Sequence, residues 1–161
     1  PLSWSDARQL CLINGGDLLT IHSANEQAHY SSILPSDSWI GLYQDVTDLN
    51  YSEPAGAWKW VDGVNLSYSN WNNTANGGSG NEPNNAGGAE QYAHFVGGDH
   101  YWNDLPLTNT RPFTMQLDKS TANSLSVSCY GSSDGQTYVT AAGGTLPYTY
   151  VWNDPKLNIG L

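Results

Sequence analysis

Residues 68–92 read YSNWNNTANGGSGNEPNNAGGAEQY, and this stretch governs how the rest of the chain is interpreted. It shows neither the period of a helix nor that of a strand from Tyr68 to Ala89. A connection of this length inside a compact domain is uncommon and is usually functional or disordered. Its second half carries three side chains with oxygen donors, at Glu82, Asn84 and Glu90. The alternatives at this point are a binding loop and a solvated loop.

The next donors outward lie in YWNDLP at 101–106, where Asn103 and Asp104 follow on the next strand but one. The set then holds three carboxylates and two amide carbonyls. Because Ca²⁺ takes six to eight oxygen ligands in flexible geometry, five such side chains indicate a site for a hard cation. A second Trp-Asn-Asp, in VWNDPK at 151–156, has no such companions, and its Asn-Asp-Pro favours a turn. We expect that copy to be structural.

The segments that flank the loop predict an α+β fold. SWSDARQLCLINGG, at 3–16, predicts a helix with Ser3 as N-cap and with Ala7, Leu10 and Cys11 on one face. HSANEQAHYSSILP, at 22–35, predicts a second helix that begins after a Ser23 cap, has Glu26 in the capping box and ends at Pro35. Short aromatic or apolar runs predict strands at 38–43, 57–63, 90–98, 100–104 and 112–117.

The residue pattern of the sequence changes at about residue 119. From there apolar and polar residues alternate between glycine-rich turns, which is typical of an all-β domain. The remaining residues are too few to close a sandwich, so we expect 118–161 to be a truncated all-β domain that follows a first domain at 1–117. The first domain is expected to lack its N-terminal strand, and further domains of the same larger protein are expected.

The charge balance excludes several classes of function. Fifteen acidic and five basic residues give a net charge of −10, which disfavours nucleic acid and anionic membranes and suits a divalent cation. No apolar run is long enough to insert in a membrane.

Two distant cysteines, Cys11 and Cys129, define neither a disulfide framework nor a zinc motif. No nucleophile or nucleotide motif is present, and a glycosidase built on the three carboxylates is a weaker hypothesis than a cation site.

Residues 1 to about 117 resemble a C-type lectin domain, because many landmarks occur in the order of that family. They are Trp4, Ala7 and Cys11 on the first helix, GGDLLTI at 15–21, Glu26, WIGL at 39–42, WKWVDG at 58–63, YSNW at 68–71, EPN at 82–84, Glu90, and WND at 102–104. The resemblance implies two helices, antiparallel strands and a long calcium-binding loop. It also implies a non-enzymatic binding module without catalytic residues.

The resemblance further implies that one set of residues binds both Ca²⁺ and carbohydrate. That set is Glu82, Asn84, Glu90, Asn103 and Asp104, and every position holds the expected residue type. In the family, the EPN order resembles the mannose type, which binds vicinal equatorial hydroxyls of mannose, GlcNAc, fucose or glucose. A QPD tripeptide instead favours galactose. A cis peptide bond between Glu82 and Pro83 is also implied.

The chain departs from the family pattern at the cysteines and at a second calcium site. The positions that would carry the partner of Cys11 and the other disulfide look like Met115, Tyr92 and Leu107. Cys11 is therefore expected to be a small buried hydrophobic residue. The acidic positions of the second calcium site look like Asn85 and Gln91, so we expect one calcium site.

VSCYGSSDGQTYVTAAGGTLPYTYVW, at 127–152, resembles β-sandwich repeats of bacterial surface adhesins, including gliding-motility adhesins. This resemblance implies a large extracellular or cell-surface protein in which the first domain binds glycans. The alternative function is a protein–protein or ice-binding module on the same fold, since many domains of this fold do not bind sugar.

Overall fold

The computed structural model describes residues 1–34 and 37–117, together with the backbone of two strands at 121–125 and 136–140. The chain divides into two units, Pro1–Asp118 and Lys119–Leu161. The described part of the first unit contains, in chain order, α1 (Trp4–Ile13), β1 (Gly16–Leu18), α2 (Ala24–Ile33), β2 (Ser38–Gln44), β3 (Trp58–Trp60), β4 (Tyr92–Phe95), β5 (Trp102–Leu105) and β6 (Met115–Leu117). No helix in the described ranges combines the length and the apolar character that a membrane span needs.

Helix α1 begins as predicted, because the Ser3 hydroxyl accepts a hydrogen bond from the Asp6 N–H at 3.3 Å. Gly15 ends the helix with a left-handed φ of 79°. Trp4, Ala7 and Cys11 form the buried stripe. The prediction for Leu10 is wrong, since its side chain is 42% exposed. At 100° per residue, Leu10 lies roughly 90° from the centre of that stripe.

Helix α2 also begins at its predicted cap, with the Ser23 hydroxyl accepting from the Glu26 N–H at 3.2 Å. The Glu26 carboxylate accepts from the His22 N–H at 2.6 Å. A capping box would instead use the N–H of Ser23, the next residue along the chain. The helix ends at Ile33, and the predicted stop at Pro35 lies outside the described residues.

The principal sheet is antiparallel, in the strand order β3-β2-β4-β5, and a smaller sheet pairs β1 with β6. In the principal sheet, the register of β4 and β5 places Ala93 opposite Asp104 and His94 opposite Asn103. The last strand, β5, therefore presents the Asn-Asp pair at one edge of the sheet, beside the strand that follows the long loop.

Tryptophan side chains dominate the core around this sheet. Trp39, Trp58, Trp60, Trp71 and Trp102 are each at most 5% exposed. The Trp102 ring meets those of Trp60 and Trp71 edge to face, at centroid distances of 5.5 and 5.8 Å. The tryptophans of the WIGL, WKWVDG and YSNW motifs are therefore core residues. Because Trp102 directly precedes Asn103, the core fixes the start of the candidate site.

Cys11 is fully buried, as the sequence predicted, and it forms no disulfide with another described residue. Met115 packs against the same cluster of side chains. Burial, with a smaller contribution from the negative charge of Asp17, raises the pKa of the Cys11 thiol to about 11. This thiol is therefore a packing group rather than a nucleophile.

In the second unit, β7 (Thr121–Leu125) and β8 (Gln136–Thr140) form an antiparallel pair. Cys129 and the second Trp-Asn-Asp, at 152–154, lie outside the described residues. The boundaries 1–117 and 118–161, and the truncated all-β domain itself, stay predictions.

Candidate cation and ligand site

The long loop leaves the core at Trp71, which is anchored to the last strand of the sheet. Trp71 forms a bridge with Trp102, and the Asn72 N–H donates to the Trp102 carbonyl at 2.9 Å. Two short 3₁₀ turns, Thr74–Asn76 and Ala86–Gly88, interrupt the loop. The Glu82–Pro83 peptide bond is cis, as expected.

Asp104 connects strand β5 to this loop. Its side chain is fully buried, and its two carboxylate oxygens accept the N–H groups of Asn84 and Asn85 at 3.0 and 2.8 Å. Hydrogen bonds of this charge-assisted kind are short and comparatively strong. They hold the chain just after Pro83 against the strand that carries Asn103 and Asp104.

Glu90 lies at the end of the loop, just before β4, and is 8% exposed. Its carboxylate accepts the Ala86 N–H at 2.6 Å, and its own N–H donates to the Asn85 side-chain oxygen at 3.0 Å. Asn85 adopts the left-handed conformation, with φ of 48°. These contacts close residues 85–90 into a tight turn beside Asp104.

Glu82 and Asn84 contact each other directly. The Asn84 side-chain amide donates to Glu82 Oε1 at 2.8 Å, whereas Glu82 Oε2 is buried without a hydrogen-bond partner. On β5, the Asn103 side chain donates to the Asp104 carbonyl at 2.6 Å. Contacts therefore link Glu82 through Asn84 and Asp104 to Asn103, and the turn at 85–90 brings in Glu90.

The charges of the three carboxylates oppose one another. Burial, the adjacent Asp104 carboxylate and the charge of Glu90 raise the pKa of Glu82 to about 7, against the hydrogen bond from Asn84. Burial, with the charge of Asp104, raises the pKa of Glu90 above its usual range, although the Ala86 N–H lowers it. Excess negative charge at a partly buried point is what a cation would neutralise.

The donor set fits Ca²⁺, although no group of three His, Cys, Asp or Glu side chains within the described ranges is already arranged around one metal position. The arrangement is incomplete because loop N–H groups occupy the oxygens of Asp104 and one oxygen of Glu90. The five side chains offer hard oxygen donors of the right kind, and water or a ligand would supply the rest of the six to eight that Ca²⁺ takes. The unpartnered, buried Glu82 Oε2 supports the fit, since such an oxygen is costly unless a proton or an ion satisfies it.

Sequence reasoning did not find three asparagines that shape the loop, at 72, 73 and 85. The sequence marks Asn85 only as an amide at an acidic position of the family's second calcium site, and nothing in it sets Asn72 and Asn73 apart from the other polar residues of the loop. Two asparagines just after a core tryptophan could cap a short turn. Their hydrogen-bond partners, however, lie up to 27 residues away in the sequence, as in the contact between Asn72 and Asp99. The sequence carries no signal for such partners.

Residues 1–114 match the sequence model described as the Lectin C-type domain. C-type lectin 1 of Hydrophis hardwickii is 32% identical over 127 residues, which cover 76% of this chain and 72% of that protein. The chain belongs to the C-type lectin domain family. Domains of this family are generally non-enzymatic binding modules, they generally bind Ca²⁺, and the family suggests carbohydrate binding. The chain spans only 30% of the human C-type lectin domain family 10 member A, which is 34% identical over 111 residues.

Solved structures support the same fold. The carbohydrate-recognition domain of cow CD23, solved in the presence of a GlcNAc2Man3 oligosaccharide, has a TM-score of 0.51 and 32% identity over 65% of this chain and 70% of that one. A calcium-independent type II antifreeze protein has a TM-score of 0.50 and 28% identity over 66% of this chain and 71% of that one. The C-type lectin-like fold, with two helices and antiparallel sheets, is confirmed.

Residues 121–157 match, weakly, a sequence model described as the SprB repeat. The matched segment covers both strands of the second unit, β7 and β8.

Proposed function

We propose that the first unit binds carbohydrate through one Ca²⁺ ion held by Glu82, Asn84, Glu90, Asn103 and Asp104. The observation that carries the proposal is the contact chain from Glu82 through Asn84 and Asp104 to Asn103. It brings residues from a loop and a strand together beside a buried carboxylate oxygen that lacks a partner. Membership of a family that generally binds Ca²⁺ supports the same conclusion.

Two kinds of interaction would hold a sugar at this site. Bound Ca²⁺ supplies coordination positions for two vicinal hydroxyl oxygens. The protein supplies the hydrogen bonds, because a coordinated hydroxyl can donate to a carboxylate and accept from an amide N–H. Glu82 offers only acceptors when ionised, and Asn84 offers the amide donor two residues later. This order of acceptor and donor gives the site a direction.

The mannose type of specificity is proposed from that order and from the residues that follow it. Ala86, Gly87, Gly88 and Ala89 are exposed and carry no aromatic ring, so the loop offers no platform for the apolar face of galactose. The cow CD23 domain, crystallised in the presence of a mannose-containing oligosaccharide, is compatible with this choice. Mannose, GlcNAc and fucose are the ligands to test.

A single site of this kind is expected to bind a monosaccharide with a Kd of roughly 1 mM. Several copies would then be needed for firm adhesion, because linked sites convert later binding events into intramolecular ones. We propose that the chain is part of an extracellular or cell-surface adhesin of bacterial type, and the SprB-like segment at 121–157 supports this proposal. Further domains of the same protein would then be its covalent partners.

The antifreeze protein among the similar structures makes an ice-binding or protein-binding module the second candidate. Such a module would not need the donors of Glu82, Asn84, Glu90, Asn103 and Asp104 to be complete. In this chain every one of the five positions carries an oxygen donor. That completeness favours the calcium-dependent lectin.

Thermal unfolding in EDTA, in calcium, and in calcium with mannose or galactose tests the proposal. Calcium at 100 times its Kd is expected to add about 2.7 kcal/mol to the free energy of unfolding. A further rise with mannose, but not with galactose, is expected from the EPN order. A melting temperature that rises with calcium, and rises no further with either sugar, would favour the second candidate. An unchanged melting temperature in calcium would contradict the metal site.

A further inference from the structure

Glu82 is held at both of its main-chain polar groups by a neighbouring part of the loop. Its N–H donates to the Asn72 carbonyl at 3.0 Å, and its carbonyl accepts from the Asn73 side-chain amide at 2.7 Å. A bridge between Asn73 and Asn81 closes the loop just before Glu82. The position of the Glu82 main chain is therefore set by residues nine and ten places earlier.

Both ends of the Asn73 side chain are engaged. Its oxygen accepts the Asn76 N–H at 3.1 Å and caps the 3₁₀ turn, while its Nδ2 reaches Glu82. Its main-chain N–H donates to the Trp71 carbonyl at 2.7 Å, and Trp71 is 4% exposed. Asn73 thus connects Glu82 to the tryptophan core through two short links.

The adjacent Asn72 packs the rest of the loop around this point. Its side-chain oxygen accepts the N–H groups of Ser79 and Gly80 at 3.1 and 3.0 Å, and its amide donates to Asp99 at 3.2 Å. A Cβ at Gly80 would lie 2.6 Å from the Asn72 carbonyl oxygen. The chain therefore has little room to move away from Asn73.

We propose that Asn73 is a positioning residue of the calcium site. Its amide holds the main chain of Glu82 in place before any ligand arrives. The carboxylate is then already positioned when the ion binds, and binding does not have to order it. The proposal rests on the calcium-dependent function above. Groups that orient metal ligands in this way commonly change metal affinity by about 10–100-fold when they are removed.

Asn73→Ser separates the positioning contact from the turn, because serine is also a good cap but cannot reach the Glu82 carbonyl. Asn76→Ser is the matched control. It removes an amide that donates to the Trp71 carbonyl at 3.0 Å in the same loop and contacts none of the five candidate ligands. Titration calorimetry with calcium is expected to show a Kd about tenfold higher for Asn73→Ser and little changed for Asn76→Ser.

Hydrogen exchange in EDTA supplies a readout that does not depend on the metal. Residues 79–86 are expected to exchange faster in Asn73→Ser than in the wild type or Asn76→Ser, while both variants keep similar melting temperatures in EDTA. If the wild type binds calcium and Asn73→Ser binds it equally well, the positioning role is wrong. Equal weakening in both variants would also overturn it, since any loop contact would then suffice. A wild type that does not bind calcium would instead refute the proposed function.

Discussion

At the scale of single residues, the site depends on asparagines as much as on acids. Asp104 can be buried because N–H groups of Asn84 and Asn85 satisfy both of its oxygens. Asn85 also accepts the Glu90 N–H and adopts a left-handed conformation that asparagine tolerates better than most residues. The acids supply the charge, and the asparagines determine where that charge lies.

The order of acceptor and donor at 82 and 84 is expected to select the sugar. Glu82→Gln with Asn84→Asp keeps one carboxylate and one amide but exchanges their places. Because each hydroxyl of the bound diol would then face the wrong partner, preference is expected to move from mannose toward galactose by about tenfold, roughly the effect of one mispaired hydrogen bond. Competition binding in calcium measures the ratio.

A matched control for this exchange lies in another exposed loop. Asn50→Asp with Glu53→Gln makes the same change of charge at residues that contact Asp48 and Tyr51 rather than the candidate site. It is expected to leave the sugar ratio unchanged. An unchanged ratio in the Glu82/Asn84 double variant as well would argue against recognition through the diol.

His94 is expected to make the fold sensitive to acid. Burial and the charge of Arg111 lower its pKa to about 4, although Asp37 and Asp99 oppose the shift. The unfolded chain, with an ordinary histidine pKa of about 6.5, then binds a proton that the folded chain does not. The contribution of His94 to the free energy of unfolding should fall as the pH drops below about 6.5, by about 2 kcal/mol between pH 7 and pH 5. Protonation of Glu82, whose pKa is raised to about 7, acts in the opposite direction over the same range.

Urea unfolding in EDTA at pH 7 and pH 5 measures this difference. His94→Phe is the comparison, because it keeps a ring against Trp39, whose centroid lies 6.1 Å from that of His94, but cannot titrate. Because Glu82 contributes equally to both proteins, the change in the free energy of unfolding from pH 7 to pH 5 is expected to be about 2 kcal/mol more stabilising in the variant than in the wild type. Equal losses would mean that other groups cause the acid sensitivity.

At the scale of elements, the site depends on strands and helices that are short but closely joined. Gln27 of α2 donates to the His100 carbonyl and accepts from the Trp102 indole, at 2.8 and 2.9 Å. The second helix is thus tied to the start of β5, which carries Asn103. Strand β1 is joined to β6 and so closes the unit near its last described residues.

Pairing of β1 with β6 is expected to depend on Gly16. A Cβ at this position would overlap the main-chain carbonyl of Gln116, and backbone atoms cannot rotate away. Gly16→Ala is therefore expected to lower the free energy of unfolding by about 1–3 kcal/mol, as overpacked substitutions commonly do. Chemical denaturation measures the change.

Gly98→Ala is the control for Gly16→Ala, because an added Cβ at Gly98 would meet nothing within 4 Å. Its effect is expected to be under about 0.5 kcal/mol, as for most exposed positions. A loss at Gly16→Ala as small as that at Gly98→Ala would show that the two strands separate easily.

At the scale of the whole molecule, the aromatic core holds the described part of the first unit together without a disulfide, since Cys11 is paired with no other described residue. Trp4, Ala7, Leu18 and Trp39 surround this thiol in one buried cluster. A unit of this size can bury enough apolar surface to be stable without a disulfide.

Reducing agent is therefore expected to leave the melting temperature unchanged. In a Cys129→Ser background, Cys11 should react with a thiol reagent at pH 8 about a hundredfold or more slowly than free cysteine, because a pKa of about 11 leaves little thiolate. Labelling in native buffer measures the reactivity of Cys11 in the folded chain, and labelling in urea measures it in the unfolded chain. Rapid labelling in native buffer, or a melting temperature lowered by reductant, would contradict the buried free thiol.

The candidate site shows how far sequence reasoning extends in this chain. The types and spacing of Glu82, Asn84 and Glu90 are local properties, and so is the cap at Ser3, so they could be predicted from the chain alone. The exposure of Leu10 could not, because the centre of the buried stripe on α1 is decided by what the helix packs against.

The amino-acid sequence by itself determined the order of helices and strands, the aromatic framework and the identity of the five candidate donors, because periodicity and side-chain chemistry are written along the chain. The tertiary structure alone decided that loop N–H groups occupy the oxygens of Asp104 and that Asn73 holds Glu82. It also left one oxygen of Glu82 buried without a partner. These properties depend on which distant segments meet, and a hydrogen bond between them forms only where the packed core brings donor and acceptor within about 3 Å.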